Sequence, residues 1–247
     1  MEHLNLFDYY IFPNRQEREL IYSENIILED LWLEIKGLEK NTIGNSKIVS
    51  WLNGYNNTMS TCKIPYLILM NYYKKGIPEY DRERFEKDNK YKEEAFLYKY
   101  YFNYFSEIFL YKIETCFEML YQVINAMCDL KVNYDDTQFI KKMKNRLKEK
   151  YPKIYKEVEK LSLNEDYKKI KKLRNLLAHS SSPLREYMVE YSHKDNSYSL
   201  MNIKAISSSN MIEIINKSFE LLKDFKDRIK IEIENEEEIL ENINDYF

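Results

Sequence analysis

The chain has 247 residues, enough for one sizeable hydrophobic core or for one domain with an appended part. Hydrophobic residues make up 44% and charged residues 32%, ordinary for a globular protein, while only four Gly and five Pro leave few tight turns and argue for long helices. A net charge of -3 excludes a protein that coats nucleic acid through bulk charge, and three cysteines (Cys62, Cys116 and Cys128) without C-x-x-C spacing exclude a disulfide framework and a cysteine zinc site.

The opening "MEHLNLFDYYIFPNRQERE" lacks a basic stretch followed by an apolar one, so no secretory signal is expected. The longest apolar run, "IPYLILM" at 64–70, is too short to span a bilayer, which places the chain in the cytoplasm with no membrane partner. Residues 15–40 predict a helix ending near Gly37, and 61–75 a second, closed by Gly76-Ile77-Pro78. From Phe96 to Leu130 there is no Gly or Pro. Phe109, Ile113, Phe117, Leu120, Ile124 and Met127 recur there at three- and four-residue steps, which predicts the central helix. "NYDDTQ" offers caps for a helix carrying Phe139, Ile140, Met143 and Leu147. Pro152 suits the first position of the next, whose stripe is Ile154, Tyr155, Val158 and Leu161. Asn164 caps a third, with Tyr167, Ile170, Leu173 and Leu177 inward and His179 at or just past its end. "EYMVEYSHKDNSYSLMNIKAI" alternates around a turn-prone centre and predicts a two-stranded hairpin. "SSSN" then caps a last long helix with Ile212, Ile215, Phe219, Leu222 and Ile229 on one side. The expected fold class is all-α, a helical bundle with one small β-hairpin before the C-terminal helix, divided into an N-terminal helical extension (1–85) and a bundle domain (86–247).

Charge is distributed unevenly. From Lys141 to Arg174 there are 14 Lys or Arg against 5 Asp or Glu, whereas the C-terminal "IEIENEEEILENINDYF" is acidic. At the end of the basic region stands "KKIKKLRNLLAHSSSP", in which Arg174, Asn175 and His179 combine a fixed cation, an amide and an imidazole. Residues five apart on a helix point about 140° from each other, whereas Asn175 and His179 share a face. Arg174 and His179 can converge if the helix stops before His179, if the long Arg wraps around, or if a second copy packs beside the first across a two-fold axis.

"RNLLAH" resembles the Arg-polar-x3-His signature of the HEPN superfamily (higher eukaryotes and prokaryotes nucleotide-binding). The resemblance covers roughly residues 90–245. It implies a helical bundle, commonly dimeric, of the kind found in metal-independent endoribonucleases of toxins, abortive-infection proteins and RNA-guided effectors. Arg174 matches the family's arginine, Asn175 its polar second position and His179 its histidine. In the branch paired with a nucleotidyltransferase antitoxin a Tyr commonly stands two residues after the His. Here that position is Ser181, so modification by such a partner is not implied, and any antitoxin or regulatory partner stays unknown.

These residue types suit RNA cleavage. Imidazole, with an ordinary pKa of about 6.5, takes or gives a proton near neutrality, and a guanidinium fork holds two phosphate oxygens. His179 is the expected base or acid, Arg174 the stabiliser of phosphorane charge, and Asn175 an orienter of His179 or of substrate. Lys168, Lys169, Lys171 and Lys172 are expected to bind RNA, though lysines beside an apolar stripe also suit a solvated helix face. No metal and no cofactor are expected. The expected activity is metal-independent cleavage of an RNA substrate by a homodimer in a bacterial toxin or antiviral-defence setting. The alternative is a catalytically silent HEPN-like module that binds RNA or nucleotide, or serves in protein interaction. Glu114 and Glu118, four apart on the central helix, are a second pair that could orient the site or simply be exposed.

Overall fold

The computed structural model describes residues 12–24, 31–35, 47–85, 90–179, 182–185, 187–192, 197–202, 205–237 and 239. Among them the architecture is all-α. The helices are α1 (Arg15–Glu24), α2 (Lys47–Lys74), α3 (Glu93–Met127), α4 (Phe139–Lys150), α5 (Pro152–Leu163), α6 (Glu165–His179) and α7 (Ser208–Glu234). A 3₁₀ turn at Asp81–Phe85 follows α2. Strands β1 (Tyr187–Ser192) and β2 (Ser197–Asn202) pair antiparallel, Tyr187 opposite Asn202 and Ser192 opposite Ser197. His3, Gly37, Ser181 and His193 lie outside the described residues.

The helix expected over 15–40 is corrected. α1 ends at Glu24, and Leu31–Ile35 is not helical. There burial alternates: Leu31, Leu33 and Ile35 are buried, whereas Trp32 is 48% exposed and Glu34 is exposed. That is the two-residue period of extended backbone. Its polar groups are satisfied from α2: the Asn56 amide accepts the Leu33 N–H at 3.0 Å and donates to the Leu33 carbonyl at 3.0 Å, and the Tyr55 hydroxyl donates to the Leu31 carbonyl at 2.9 Å.

α2 starts at Lys47 rather than near residue 61 and keeps Pro65 inside it. A proline there forfeits a backbone hydrogen bond and costs about 3 kcal/mol. Continuous burial from Pro65 to Tyr72 offsets that cost and keeps the helix intact. Gly76, at φ +81°, closes the segment in the left-handed region. α3 begins at Glu93 and stops at Met127, where Asp129 and Lys131 take positive φ. The turn is clamped by Asn125, whose amide donates to the Val132 carbonyl at 3.0 Å and accepts the Val132 N–H at 3.2 Å.

The chain forms two compact units, each drawn from three segments. In unit 1 (Met1–Asn25, Lys63–Tyr111, Ile170–Asn216) the core is aromatic. Tyr72 stacks on Tyr101 at 5.3 Å between ring centroids, and Tyr66 meets Phe109 at 6.5 Å. Buried Lys99 donates to the Ser208 hydroxyl at 2.7 Å, and Ser208 donates in turn to the Pro78 carbonyl at 2.7 Å, fixing the start of α7. In unit 2 (Ile26–Cys62, Lys112–Lys169, Lys217–Phe247) the core holds Phe117, Leu120, Ile124, Met143, Leu147, Ile154, Val158, Phe225 and Ile229, all buried. Cys62, Cys116 and Cys128 are buried free thiols, and burial pushes the Cys128 thiol far above its usual range.

α4 is held by tertiary burial against its own electrostatics. Phe139, Met143 and Leu147 are buried on one side. The helix has no acidic residue in its first turn and no side-chain cap from Gln138, and like charges recur at Lys141, Lys144 and Lys148. Each like-charged pair three or four residues apart costs about 0.2–0.5 kcal/mol. The carboxylate of Asp136 partly relieves this: it pairs with Lys142 and accepts the Gln138 N–H at 2.8 Å, and these bonds hold its carboxyl below the usual range.

α6 is docked by Tyr167, whose ring meets Phe117 edge-on at 5.0 Å and whose hydroxyl is hydrogen-bonded to Tyr121; burial raises both phenols above their ordinary pKa, Tyr167 far above it. Ile170 and Leu173 extend the buried stripe, whereas Leu177 is only half-buried.

Three outcomes follow from this packing. Asn56→Ala leaves the Leu33 N–H and carbonyl unsatisfied and should destabilise the protein by about 2–4 kcal/mol in urea unfolding. Tyr167→Phe keeps the ring contact but loses the hydroxyl and should cost about 1 kcal/mol in the same assay. Iodoacetamide at mildly alkaline pH should label none of the three cysteines until denaturant is added, which mass spectrometry reads directly.

Candidate RNA-processing surface on α6

The Asn164 side chain accepts the Tyr167 N–H at 3.0 Å and starts α6, while Glu165 and Asp166 in its first turn complement the positive end of the helix. The helix runs through His179, its last residue. Of the three routes to convergence, an early helix end is therefore not the one taken.

Helical spacing then sorts the candidates. Lys168, Lys172, Asn175 and His179 fall within about 60° of one another, and all four are exposed. Arg174 lies on the flank of that stripe, half-buried, and its Nη1 donates to Asn175 Oδ1 at 3.2 Å. The asparagine thus links the guanidinium to the face that carries His179. The Arg174 guanidinium also sits 6.0 Å from the centroid of the Tyr111 ring, a cation–π distance. His179 has no hydrogen-bond or ion-pair partner among the described residues; its side chain is exposed at the negative end of the helix. The structure brings Arg174 and Asn175 into contact and places His179 one turn beyond Asn175.

The expected RNA-binding lysines divide. Lys168 pairs with Glu165 at 2.7 Å, Lys169 and Lys172 are exposed without an ion pair among the described residues, and Lys171 is half-exposed. Glu114 and Glu118 also part company: Glu114 is 3% exposed while Glu118 faces solvent. The buried carboxylate acts on the core phenols, and its charge contributes to raising Tyr121 and Tyr167. Tyr151 and Tyr167 are core residues. Tyr155 is half-exposed and donates to Glu159 at 2.7 Å.

Sequence reasoning missed Tyr111. Its only sequence signal is helical spacing, since Tyr100, Tyr104 and Tyr111 share one face of α3 and are all exposed. The approach of that face to Arg174 is a tertiary fact.

Chemically, the surface presents a half-buried permanent cation beside an exposed amide and an exposed imidazole. Among the described residues no group of three or more His, Cys, Asp or Glu side chains is placed to hold a metal ion. Among the same residues no helix is long and apolar enough to cross a membrane. No curated protein and no solved structure matches the chain. A family model does, that of the Cthe2314-like HEPN family, over residues 51–244, a span that includes α3 to α7 and the whole Arg174-Asn175-x3-His179 motif. With most of its length matched and the motif exposed at the end of an anchored helix, the chain belongs to the Cthe2314-like HEPN family of the HEPN superfamily.

Proposed function

We propose that the protein is a metal-independent endoribonuclease of a bacterial toxin or antiviral-defence type, acting as a homodimer. The observation that carries this reading is the arrangement on α6: the Arg174 fork is tied to Asn175 at 3.2 Å, and Asn175 shares an exposed face with His179. In this reading residues 86–247 hold the catalytic elements and residues 1–85 an additional helical part.

RNA carries its own nucleophile. His179 removes the proton of a 2′-OH, the oxygen attacks the adjacent phosphorus, and the P–O5′ bond breaks as O5′ takes up a proton. The products are a 2′,3′-cyclic phosphate and a 5′-OH. Arg174 gains interaction energy as charge builds on the non-bridging phosphate oxygens, because its planar fork is already positioned and permanently charged. Asn175 positions Arg174, and the Tyr111 ring also contacts the guanidinium. Lys168, Lys169, Lys171 and Lys172 meet flanking phosphates. A fully exposed imidazole gains little from its surroundings, so a second copy of α6 packed across a two-fold axis would supply both enclosure and a second proton-transfer group.

One observation favours a different reading, a catalytically silent module that binds RNA or nucleotide. Asn175 is bonded to Arg174, and His179 has no partner among the described residues that fixes its tautomer.

Incubation of total RNA with the purified protein in EDTA separates the two. The wild type should cut and leave 2′,3′-cyclic phosphate ends, Arg174→Ala and His179→Ala should each lose about 100-fold or more, and a matching DNA strand should survive. RNA binding without cleavage, unchanged by His179→Ala, would establish the silent module instead.

A further inference from the structure

A second basic surface lies on the helical hairpin of α4 and α5 in unit 2. Residues 139–160 contain nine Lys or Arg against three Glu. Part of that charge is absorbed at home. Lys142 pairs with Asp136, Lys153 with Glu236 and Lys160 with Glu157. Lys141, Lys144, Lys148, Lys150 and Lys156 have no carboxylate partner among the described residues.

Three of these form a row. Lys141, Lys144 and Lys148 occupy one sector of α4 about 60° wide, opposite the buried Phe139, Met143 and Leu147, and span about 10 Å along the axis. The Lys148 ammonium lies 5.9 Å from the Tyr155 ring of α5. The row is costly to the helix that carries it, since like charges stand at three- and four-residue spacing in a helix without a first-turn acid or a side-chain cap. Locally unfavourable choices of this kind concentrate where a surface is used.

We infer that the α4–α5 face, whose residues are none of those of the α6 motif, is a docking surface for the phosphodiester backbone of RNA, indifferent to base sequence. Lysines are point charges that neutralise phosphates without reading bases, and a polyanion relieves the repulsion among them. A membrane surface fits less well. No large apolar side chain of α4 is exposed beside the lysines, whereas helices that lie on bilayers bury Trp, Phe or Leu beneath their basic face. The inference takes its ligand from the ribonuclease reading and extends that reading from the cleavage site to how the substrate is held.

The test measures affinity for a fluorescein-labelled single-stranded RNA at several salt concentrations, in a His179→Ala background that leaves the RNA uncut. Three triple variants are compared with that parent: Lys141→Gln/Lys144→Gln/Lys148→Gln, the same three positions to Arg, and a charge-matched control, Lys47→Gln/Lys75→Gln/Lys92→Gln. Circular dichroism confirms that each is folded. Loss of three phosphate contacts should make the dependence of log affinity on log salt shallower by about 2 for a single strand. Between about 50 and 200 mM salt the parent should then lose roughly 20-fold more affinity than the α4 Gln variant. The Arg variant and the control should follow the parent. Equal slopes for the two Gln variants would overturn the inference, as would a parent that binds vesicles of anionic lipid but not RNA. Cleavage by the protein with His179 intact is scored in parallel on the same RNA. RNA held through α4 yet left uncut would sink the ribonuclease reading and leave the docking face standing. RNA cut equally well with the α4 lysines replaced and with an unchanged salt slope would do the reverse.

Discussion

Everything the candidate site can do depends on how α6 is held from behind. Tyr167, Ile170 and Leu173 are buried, and the Tyr167 ring lies against Phe117 with its hydroxyl bonded to Tyr121. Burial of such side chains contributes about 1.5–3 kcal/mol each. That sum holds a helix whose other face carries Lys168, Lys172, Asn175 and His179 into solvent. Without the anchor, the lysine-rich sequence would repel itself, and isolated helices of about 15 residues are marginal in water.

The same balance governs α4, where a three-residue buried stripe offsets a net positive helix with poor capping. In α4 apolar burial maintains a conformation that local electrostatics disfavours, whereas in α6 the first-turn acids Glu165 and Asp166 work with that burial.

Membership of the HEPN family accounts for the motif, and the geometry says how its parts relate in this chain. Five-residue spacing puts Arg174 and His179 on different sides of α6, so the connection runs through Asn175, which accepts from the guanidinium and lies on the histidine's face. The Tyr111 ring is a second neighbour of the guanidinium, 6.0 Å away at its centroid. An arginine held at two points loses less freedom on binding phosphate than one that swings freely.

By itself the sequence determined the helices whose signals are local. Periodic apolar residues over 96–130 announce α3, Pro152 at the first position of α5 and Asn164 at the start of α6 are capping chemistry, and "RNLLAH" is a linear motif. Where the deciding interaction was distant in sequence, the local reading erred. The stretch "LWLEI" alternates and is extended, but it sits among residues with helical propensity, and only the Asn56 and Tyr55 side chains of α2 show why it is not helical. The early start of α2 and its tolerance of Pro65 likewise rest on burial from Pro65 to Tyr72, which no local rule reports. Glu114 and Glu118 look alike in sequence, yet one is buried near core phenols and the other is solvated, because a few tens of degrees around a helix decide which neighbours a side chain meets. Residue types and spacing were thus enough to nominate Arg174, Asn175 and His179. The Arg174–Asn175 bond joins neighbours on one helix, but the degree to which each side chain is exposed and the Tyr111 contact were decided by tertiary packing, since both depend on which surfaces the apolar stripes bury.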